Sequence, residues 1–137
     1  MASKVDAIRA AVDAFNAHDR DRYITVYRPD VALHGLPEGV VDAATLGDFY
    51  AAYWSGVSDA RASIEDVFES GDKAVVRLRL TGTHDGELMG VPATGRPVDF
   101  ELVNIVRFDD EGKITERATV ADFLSLLQQI GAIPVAA

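Results

Sequence analysis

The spacing of hydrophobic residues changes about halfway along the chain. Near its start, Val5, Ile8, Val12 and Phe15 recur every three or four positions, which predicts a helix with one buried stripe. From Arg61 onward, apolar and polar residues alternate, which predicts strands with one buried face. Helices that precede an antiparallel meander indicate the α+β class.

The first half predicts two further helices and a short strand. Tyr23 and Tyr27 face inward from a short second helix, Val31–Gly35 is the strand, and Ala43–Ser55 is a third helix. The third helix carries an aromatic stripe, which predicts either a packed core or the wall of a large cavity. His18 falls in the polar break between the first two helices, where we expect it to be solvated.

Two hairpins and a final helix are predicted for the second half. Asp122 is a favoured N-cap for that helix, and Gly131 supplies the left-handed residue just past its end. The predicted segments are strands Ser63–Glu69, Lys73–His84, Arg96–Phe108 and Lys113–Ala121, and helix Phe123–Ile130.

A four-residue loop, Asp109–Gly112, fixes the predicted pairing of the last two strands. The cross-strand pairs are Phe108 with Lys113, Asn104 with Arg117, and Leu102 with Thr119. Cross-strand partners share a side of the sheet, so an amide, a guanidinium and a hydroxyl lie on an otherwise apolar face. Such a face is typical of a pocket wall. A shift of one residue would send Asn104 and Arg117 to opposite faces.

Composition restricts the kind of protein. At 137 residues the chain is expected to form one domain, residues 1–137, and it has no cysteine for a disulfide or a thiolate metal site. No apolar run approaches the ~18 residues of a membrane span, and the first residues lack the apolar core of a signal peptide, so we expect a cytoplasmic location. The net charge of −9 argues against nucleic acid or an anionic membrane as partner, but does not disfavour a neutral apolar ligand.

Familiar catalytic signatures are absent from the sequence. The glycines follow hairpin spacing, no serine occupies a Gly-x-Ser-x-Gly elbow, and the three histidines lack metal-ligand spacing, so we expect no metal site. His34 could transfer a proton, or it could be a partly buried residue bonded to a backbone carbonyl. His84 ends a strand, where we expect a structural hydrogen bond.

Asn104 and Arg117 are the sharpest candidates for a functional site. A buried amide without a hydrogen bond costs about 1–3 kcal/mol and a guanidinium costs more, so a ligand, water or acidic side chain must satisfy them. Alternatively, Arg117 lies at the sheet rim and extends to solvent. Asp122 is the carboxylate nearest this predicted wall, but its capping role lowers its pKa and makes it a poor base. Asp99 and Glu101 fall on the opposite strand face.

Two long motifs resemble those of a known family. The segment from Gly82 to Val98, with Gly-Thr-His-Asp-Gly at its start and Gly-Val-Pro-Ala-Thr-Gly further on, is similar to a segment of the SnoaL-like polyketide cyclases. The ending, from Asp109 to Ile114 and from Asp122 to Gly131, resembles the same family, as does Ala14-Phe15-Asn16. The resemblance covers almost the whole chain.

This resemblance implies the cone-shaped fold of the nuclear transport factor 2-like superfamily, in which N-terminal helices and a bent, mostly antiparallel sheet enclose a deep pocket. It also implies a homo-oligomer, as a dimer through the outer sheet face, and no cofactor. The implied reaction is an intramolecular aldol closure by acid/base chemistry on an apolar substrate.

The sequence departs from the family pattern at the residue that carries this chemistry. The family's acid/base aspartate lies three residues before the position of Asp122, and here that residue is Thr119. A neighbouring pocket position, often histidine, is Asn104. Because threonine is not a general base near neutral pH, the resemblance transfers the fold and pocket but not the mechanism.

The leading hypothesis is therefore a cofactor-independent cyclase or isomerase for an apolar, polycyclic or terpenoid carbonyl compound. Arg117 and Asn104 would polarise an oxygen, while His34 or Asp122 moves a proton. The predicted substrate contacts are Phe15, Tyr27, Trp54, Phe100, Leu102 and Thr119. One alternative is a protein that binds a hydrophobic small molecule without converting it. Another is an enzyme like the related limonene-epoxide hydrolases, which would need a carboxylate–arginine–carboxylate cluster.

Overall fold

A computed structural model of the chain describes residues 3–135. The elements in chain order are α1 (Lys4–Asn16), α2 (Arg20–Ile24), β1 (Tyr27–His34), α3 (Ala43–Gly56), β2 (Arg61–Ser70), β3 (Lys73–Thr83), β4 (Pro97–Phe108), β5 (Ile114–Ala121) and α4 (Phe123–Gln129). Within residues 3–135, no helix is both long and apolar enough to span a bilayer.

Capping residues fix where the helices begin. Ser3 forms a capping box with Asp6 at the start of α1, as its Ser-x-x-Asp pattern indicates. Asp122 caps α4 as predicted, its Oδ1 accepting a hydrogen bond from the Ser125 backbone N–H at 3.0 Å. Gly131, with φ +80°, follows that helix in the left-handed conformation that favours glycine.

The five strands form one sheet in the order β1-β5-β4-β3-β2. β1 runs parallel to β5, and every other neighbouring pair is antiparallel. The alternation predicted for β3 is confirmed, because Val76, Leu78 and Leu80 are buried while Arg77 and Arg79 are exposed. The inner face of this mostly antiparallel sheet packs on the helices, so the α+β cone-like prediction is confirmed.

The predicted register of β4 and β5 is wrong by two residues. The connecting loop has five residues, because Asp109 holds it closed by accepting hydrogen bonds from the backbone N–H groups of Glu111 and Lys113. Thr115 then forms a bulge as an unpaired extra residue on β5. The observed pairs are Phe108 with Ile114, Val106 with Arg117, Asn104 with Thr119, and Leu102 with Ala121. Because the shift is even, Asn104, Arg117 and Thr119 stay on the predicted inner face.

The bulge also moves Thr115 off the inner face. Its hydroxyl donates to the Arg107 carbonyl at 3.3 Å, while Ile114 points into the core. The outer face carries the ion pairs Arg79–Asp99 and Arg77–Glu101. Such exposed pairs are worth about 0–1 kcal/mol each, so the stability of the sheet comes chiefly from its inner face.

Two local predictions are corrected near the first helices. Tyr27 belongs to β1, not to α2, because it pairs with Ile114 in the parallel ladder. His18 is not solvated: its Nε2 lies 2.9 Å from the Ala60 carbonyl oxygen, and its ring stacks on Trp54 at 5.1 Å. Chain segments that are distant in sequence override the local pattern in both cases.

Candidate active site

The inner face of the sheet and the first three helices enclose a small, mostly apolar cavity. The cavity volume is about 40 Å³, and a single water needs about 10–15 Å³. The cavity therefore has room for a few waters, and a ligand with a ring would have to displace side chains. The lining residues are Ile8, Ala11, Val12, Phe15, Tyr23, Tyr27, Tyr50, Ala62, Val76, Leu78, Leu80, Leu102, Asn104, Val106 and Ile114.

A second, smaller pocket, called the extension below, adjoins this cavity on the side of the loop between β3 and β4. It shares Tyr50, Leu80 and Leu102 with the main cavity and is bordered further out by Thr119 and Met89. Its other lining residues are Leu36, Phe49, Tyr53, Phe100 and Phe123. Among residues 3–135, neither the cavity nor the extension is lined by a carboxylate or an imidazole.

Arg117 lies directly behind the polar part of the cavity wall. Its side chain is completely buried, at 0% exposure, so the alternative that it extends to solvent at the sheet rim is wrong. Its Nε donates to Asn104 Oδ1 at 3.1 Å and to Thr119 Oγ1 at 2.9 Å. The strands β4 and β5 therefore bring together the amide, guanidinium and hydroxyl that the sequence places on one face.

Three tyrosines complete the shell around the guanidinium. The Arg117 Nη1 donates to the hydroxyls of Tyr23 and Tyr27 at 2.9 and 3.0 Å. Its Nη2 donates to the Tyr50 hydroxyl at 2.7 Å. These phenols come from α2, β1 and α3, so each of these elements contributes one oxygen. Sequence reasoning treated them as inward-facing residues and missed this role, although a buried arginine without a nearby acid calls for neutral acceptors.

Arg117 has no counterion in the described part of the chain. It forms no ion pair with any carboxylate of residues 3–135. Burial by itself lowers the pKa of Arg117, but the phenol oxygens of Tyr27, Tyr50 and Tyr23 raise that pKa well above its usual value. The guanidinium therefore stays charged, and one uncompensated positive charge lies beside an apolar cavity.

Hydrogen-bond donors outnumber acceptors along this wall. The Tyr50 hydroxyl accepts from the guanidinium, and its own proton has no acceptor among residues 3–135. The Tyr23 and Tyr27 oxygens lie 3.2 Å apart, so one of them donates to the other and the second proton is left over. Because Asn104 Oδ1 accepts from both the guanidinium and Thr119, the amide is oriented with Nδ2 as its free end. The wall therefore suits a ligand oxygen that accepts hydrogen bonds.

Tyr53 adds to this surplus of donors. Tyr53 lines the extension, and its hydroxyl is buried without a hydrogen-bond partner in the described part of the chain. Burial raises the pKa of Tyr53, so the hydroxyl keeps its proton. Buried polar groups are rarely left unpaired, so this donor also calls for a ligand or water oxygen.

Two predicted proton-transfer residues lie away from the cavity. His34 is largely exposed at the end of β1, with its Nε2 3.0 Å from a Glu116 carboxylate oxygen, so its predicted backbone-carbonyl partner is wrong. Asp122 is exposed at the start of α4. The Ser125 hydroxyl, and then the Ser125 backbone N–H, lower the pKa of the Asp122 carboxyl. Neither residue lines the cavity or its extension.

The predicted substrate contacts divide into three groups. Phe15, Tyr27 and Leu102 line the main cavity. Phe100 and Thr119 border the extension, which Leu102 also reaches. Trp54 is buried against the stacked ring of His18 and is not among the lining residues.

His84 secures the loop that borders the extension. Its side chain is fully buried, with Nδ1 2.8 Å from the Thr94 hydroxyl and Nε2 3.2 Å from the Val91 carbonyl oxygen. Its backbone N–H donates to the Arg96 carbonyl at 2.9 Å. The predicted structural hydrogen bond is confirmed, and it explains why the Gly-Thr-His and Thr-Gly parts of the motif occur together.

Comparison with known proteins agrees with the motifs and the fold. The family model of the SnoaL-like polyketide cyclases matches residues 5–130. The chain belongs to this family. It is 34% identical over 125 residues to the nogalonic acid methyl ester cyclase of Streptomyces nogalater, covering 88% of this chain and 91% of that one.

Further comparisons give a second cyclase by sequence and two solved structures with the same fold. The aklanonic acid methyl ester cyclase DnrD of Streptomyces peucetius is 29% identical over 135 residues, which is 96% of this chain and 92% of the relative. AclR of Streptomyces galilaeus, a proposed hydroxylase, superposes with a TM-score of 0.87 at 27% identity, covering 98% of this chain and 84% of that one. TsrD of Streptomyces laurentii superposes with a TM-score of 0.84 at 25% identity, covering 95% and 96%.

Proposed function

We propose that this member of the family catalyses the cofactor-independent cyclisation or isomerisation of an apolar carbonyl compound. The observation that supports this most directly is the buried, uncompensated charge of Arg117 behind a wall of unused hydrogen-bond donors. A preorganised donor aimed at a developing oxyanion contributes about 3–4 kcal/mol to catalysis, because it needs no reorganisation during the reaction.

Ring closure would proceed as an aldol addition within one molecule. A carbon next to one carbonyl group gives up its proton to water and becomes an enolate. This carbon attacks a second carbonyl carbon of the same molecule, a C–C bond forms, the C=O π bond breaks, and the oxygen becomes an alkoxide that takes up a proton. The Asn104 Nδ2 and the Tyr50 hydroxyl face this oxygen as donors; Tyr50 supplies the proton and regains one from water. Arg117 acts through them as a positioning residue, since its N–H groups bind protein oxygens.

The names of the relatives suggest the first substrates to test. Wild-type protein would be incubated with aklanonic acid methyl ester and nogalonic acid methyl ester, and the products separated by liquid chromatography with mass detection. Aldol closure conserves mass, so we expect a product of unchanged mass and altered retention. Asn104→Leu should lower the rate by about 10²–10³-fold, the cost of one oxyanion donor.

A matched variant separates chemistry from general damage. Arg20→Met removes a surface arginine that pairs with Asp21 and Asp48, away from the cavity and from the outer sheet face, and should leave the rate unchanged. Both variants would first be checked for a wild-type unfolding midpoint. If Asn104→Leu is folded and as fast as wild type, the proposed oxyanion contact is wrong.

The alternative of binding without conversion has one observation in its favour. The cavity of the described chain presents no carboxylate or imidazole that could remove a proton. In that case both esters would bind stoichiometrically and be recovered unchanged after prolonged incubation. The epoxide-hydrolase alternative is not retained, because its carboxylate–arginine–carboxylate cluster requires acidic partners that Arg117 lacks within residues 3–135.

We also propose a homodimer formed through the outer sheet face. Val120 and Ile105 are 71% and 42% exposed on that face. Sedimentation should show a dimer that Val120→Glu weakens because it buries a charge at the contact. A wild-type monomer at high concentration would contradict this proposal.

A further inference from the structure

We infer that the cavity binds its substrate already ionised, as an enolate or phenolate whose oxygen serves as the missing counterion of Arg117. This inference rests on the proposed function for the choice of cavity, but it concerns binding and does not require turnover. It narrows the substrate to compounds that are acidic enough to ionise near neutral pH.

The position of the charge supports this inference. The Tyr50 hydroxyl lies 2.7 Å from Arg117 Nη2, and a ligand oxygen bonded to the same hydroxyl would be about 2.7 Å further on. The ligand oxygen is therefore within about 5.4 Å of the guanidinium. An opposite charge at about 4–6 Å lowers the pKa of an acid by about 1–3. The apolar lining strengthens the attraction because it screens charge poorly, and the free donors of Tyr50 and Asn104 replace the water that an anion loses on burial.

The absence of a base in the cavity wall points the same way. Among residues 3–135, the lining contains phenols, one amide and one hydroxyl as its polar groups, and none of these removes a proton from a simple ketone near neutral pH. A 1,3-dicarbonyl compound or a phenol ionises without such help. The site thus favours an enolised dicarbonyl or phenolic substrate over an isolated ketone.

Thr119 is the residue that keeps the charge available to the ligand. Its hydroxyl lies 2.9 Å from Arg117 Nε and 2.8 Å from Asn104 Oδ1. A carboxylate in this place would pair with the guanidinium and neutralise it. Thr119→Asp should therefore supply an internal counterion and abolish the preference of the cavity for anions.

The test uses 4-nitrophenol, a single-ring acid whose ionised form absorbs visible light at longer wavelength than its neutral form. Protein is titrated into the probe at a pH where the free probe is mostly neutral. Wild type should produce the absorption band of the ionised probe. The apparent pKa of the bound probe should be lower than that of the free probe by about 1–3, which corresponds to about 10–1,000-fold tighter binding of the anion than of the neutral form.

Three variants identify the origin of the shift. Thr119→Asp and Arg117→Met should both abolish it, whereas Arg20→Met, which removes an arginine paired with Asp48 at the surface of the helices, should retain it. Equilibrium dialysis measures binding of the probe separately from its ionisation. The inference is overturned if wild type binds the neutral form, if it shows no binding at millimolar probe, or if Thr119→Asp keeps the shift.

Turnover distinguishes this inference from the proposed function. Conversion of a cyclase substrate by a protein that binds only neutral 4-nitrophenol would leave the proposed function standing and remove the inference. Anion binding without any conversion would support the inference and favour the alternative of a binding protein.

Discussion

Replacing Arg117 with methionine tests whether the buried charge contributes to folding or to ligand binding. Methionine is unbranched and flexible, so it fills much of the same space without a charge. Removing one partner of a buried ion pair costs about 3–5 kcal/mol, because the other charge is left unpaired. Arg117 has no such partner among residues 3–135, so this cost does not arise.

The other contributions of this substitution to the free energy of unfolding nearly cancel. The hydroxyls of Tyr23 and Tyr27 stay hydrogen-bonded to each other, with 3.2 Å between their oxygens, and the Thr119 hydroxyl still donates to Asn104 Oδ1 at 2.8 Å. Tyr50 loses the one hydrogen bond that it makes in the described chain, at a cost of about 1–3 kcal/mol. Against this, the variant no longer buries an uncompensated ion, a penalty of several kcal/mol. We therefore expect the free energy of unfolding to stay within about 2 kcal/mol of wild type or to increase.

Urea unfolding followed by fluorescence measures this difference. Trp54 is the one tryptophan of the sequence and is 7% exposed, so it reports on unfolding of the core. The slope of the unfolding free energy against urea concentration should be the same for the variant and wild type, because both expose the same surface on unfolding. A loss of more than about 4 kcal/mol at constant slope would refute the reasoning and make Arg117 a structural residue.

Four further substitutions test three other features of the fold and the site. Gly35→Ala, at φ +78°, places a Cβ 2.0 Å from a backbone carbonyl oxygen of β5 and should lower the free energy of unfolding by more than about 2 kcal/mol. Gly39→Ala, at φ +91° with no atom within 4 Å of the new Cβ, should cost only the conformational strain of about 1–2 kcal/mol. Equilibrium unfolding compares the two variants. Tyr50→Phe should remove the band of ionised 4-nitrophenol more than it changes the unfolding midpoint, because the ring remains; an unchanged band would exclude this hydroxyl as the donor. The Ser125 side chain lowers the pKa of Asp122, so the carboxylate stabilises the fold above its unfolded pKa near ~3.9 and loses this contribution as the pH falls through the lower folded value. Asp122→Asn should therefore weaken the fall of the free energy of unfolding at acid pH. A fall as steep as that of wild type would contradict this.

The sequence by itself determined most of the helices and strands and placed Asn104, Arg117 and Thr119 on the inner face. Asp122 and Gly131 bound α4 through local capping, which needs no distant contact. The predicted pairing of Asn104 with Arg117 was wrong, yet both residues lie on the predicted face, because strand side chains alternate and an even shift preserves their side. The family motifs also indicated the fold from local sequence, because they mark turns and strand ends.

Only the tertiary structure decided what surrounds Arg117. Its partners Tyr23, Tyr27 and Tyr50 lie 94, 90 and 67 residues away along the chain. No local pattern distinguishes a phenol that packs in a core from one that solvates a buried charge, because that difference depends on which atoms packing brings within 3 Å. The same reason explains His18, whose polar neighbours predict solvent exposure while the fold gives it a carbonyl partner and an aromatic ring.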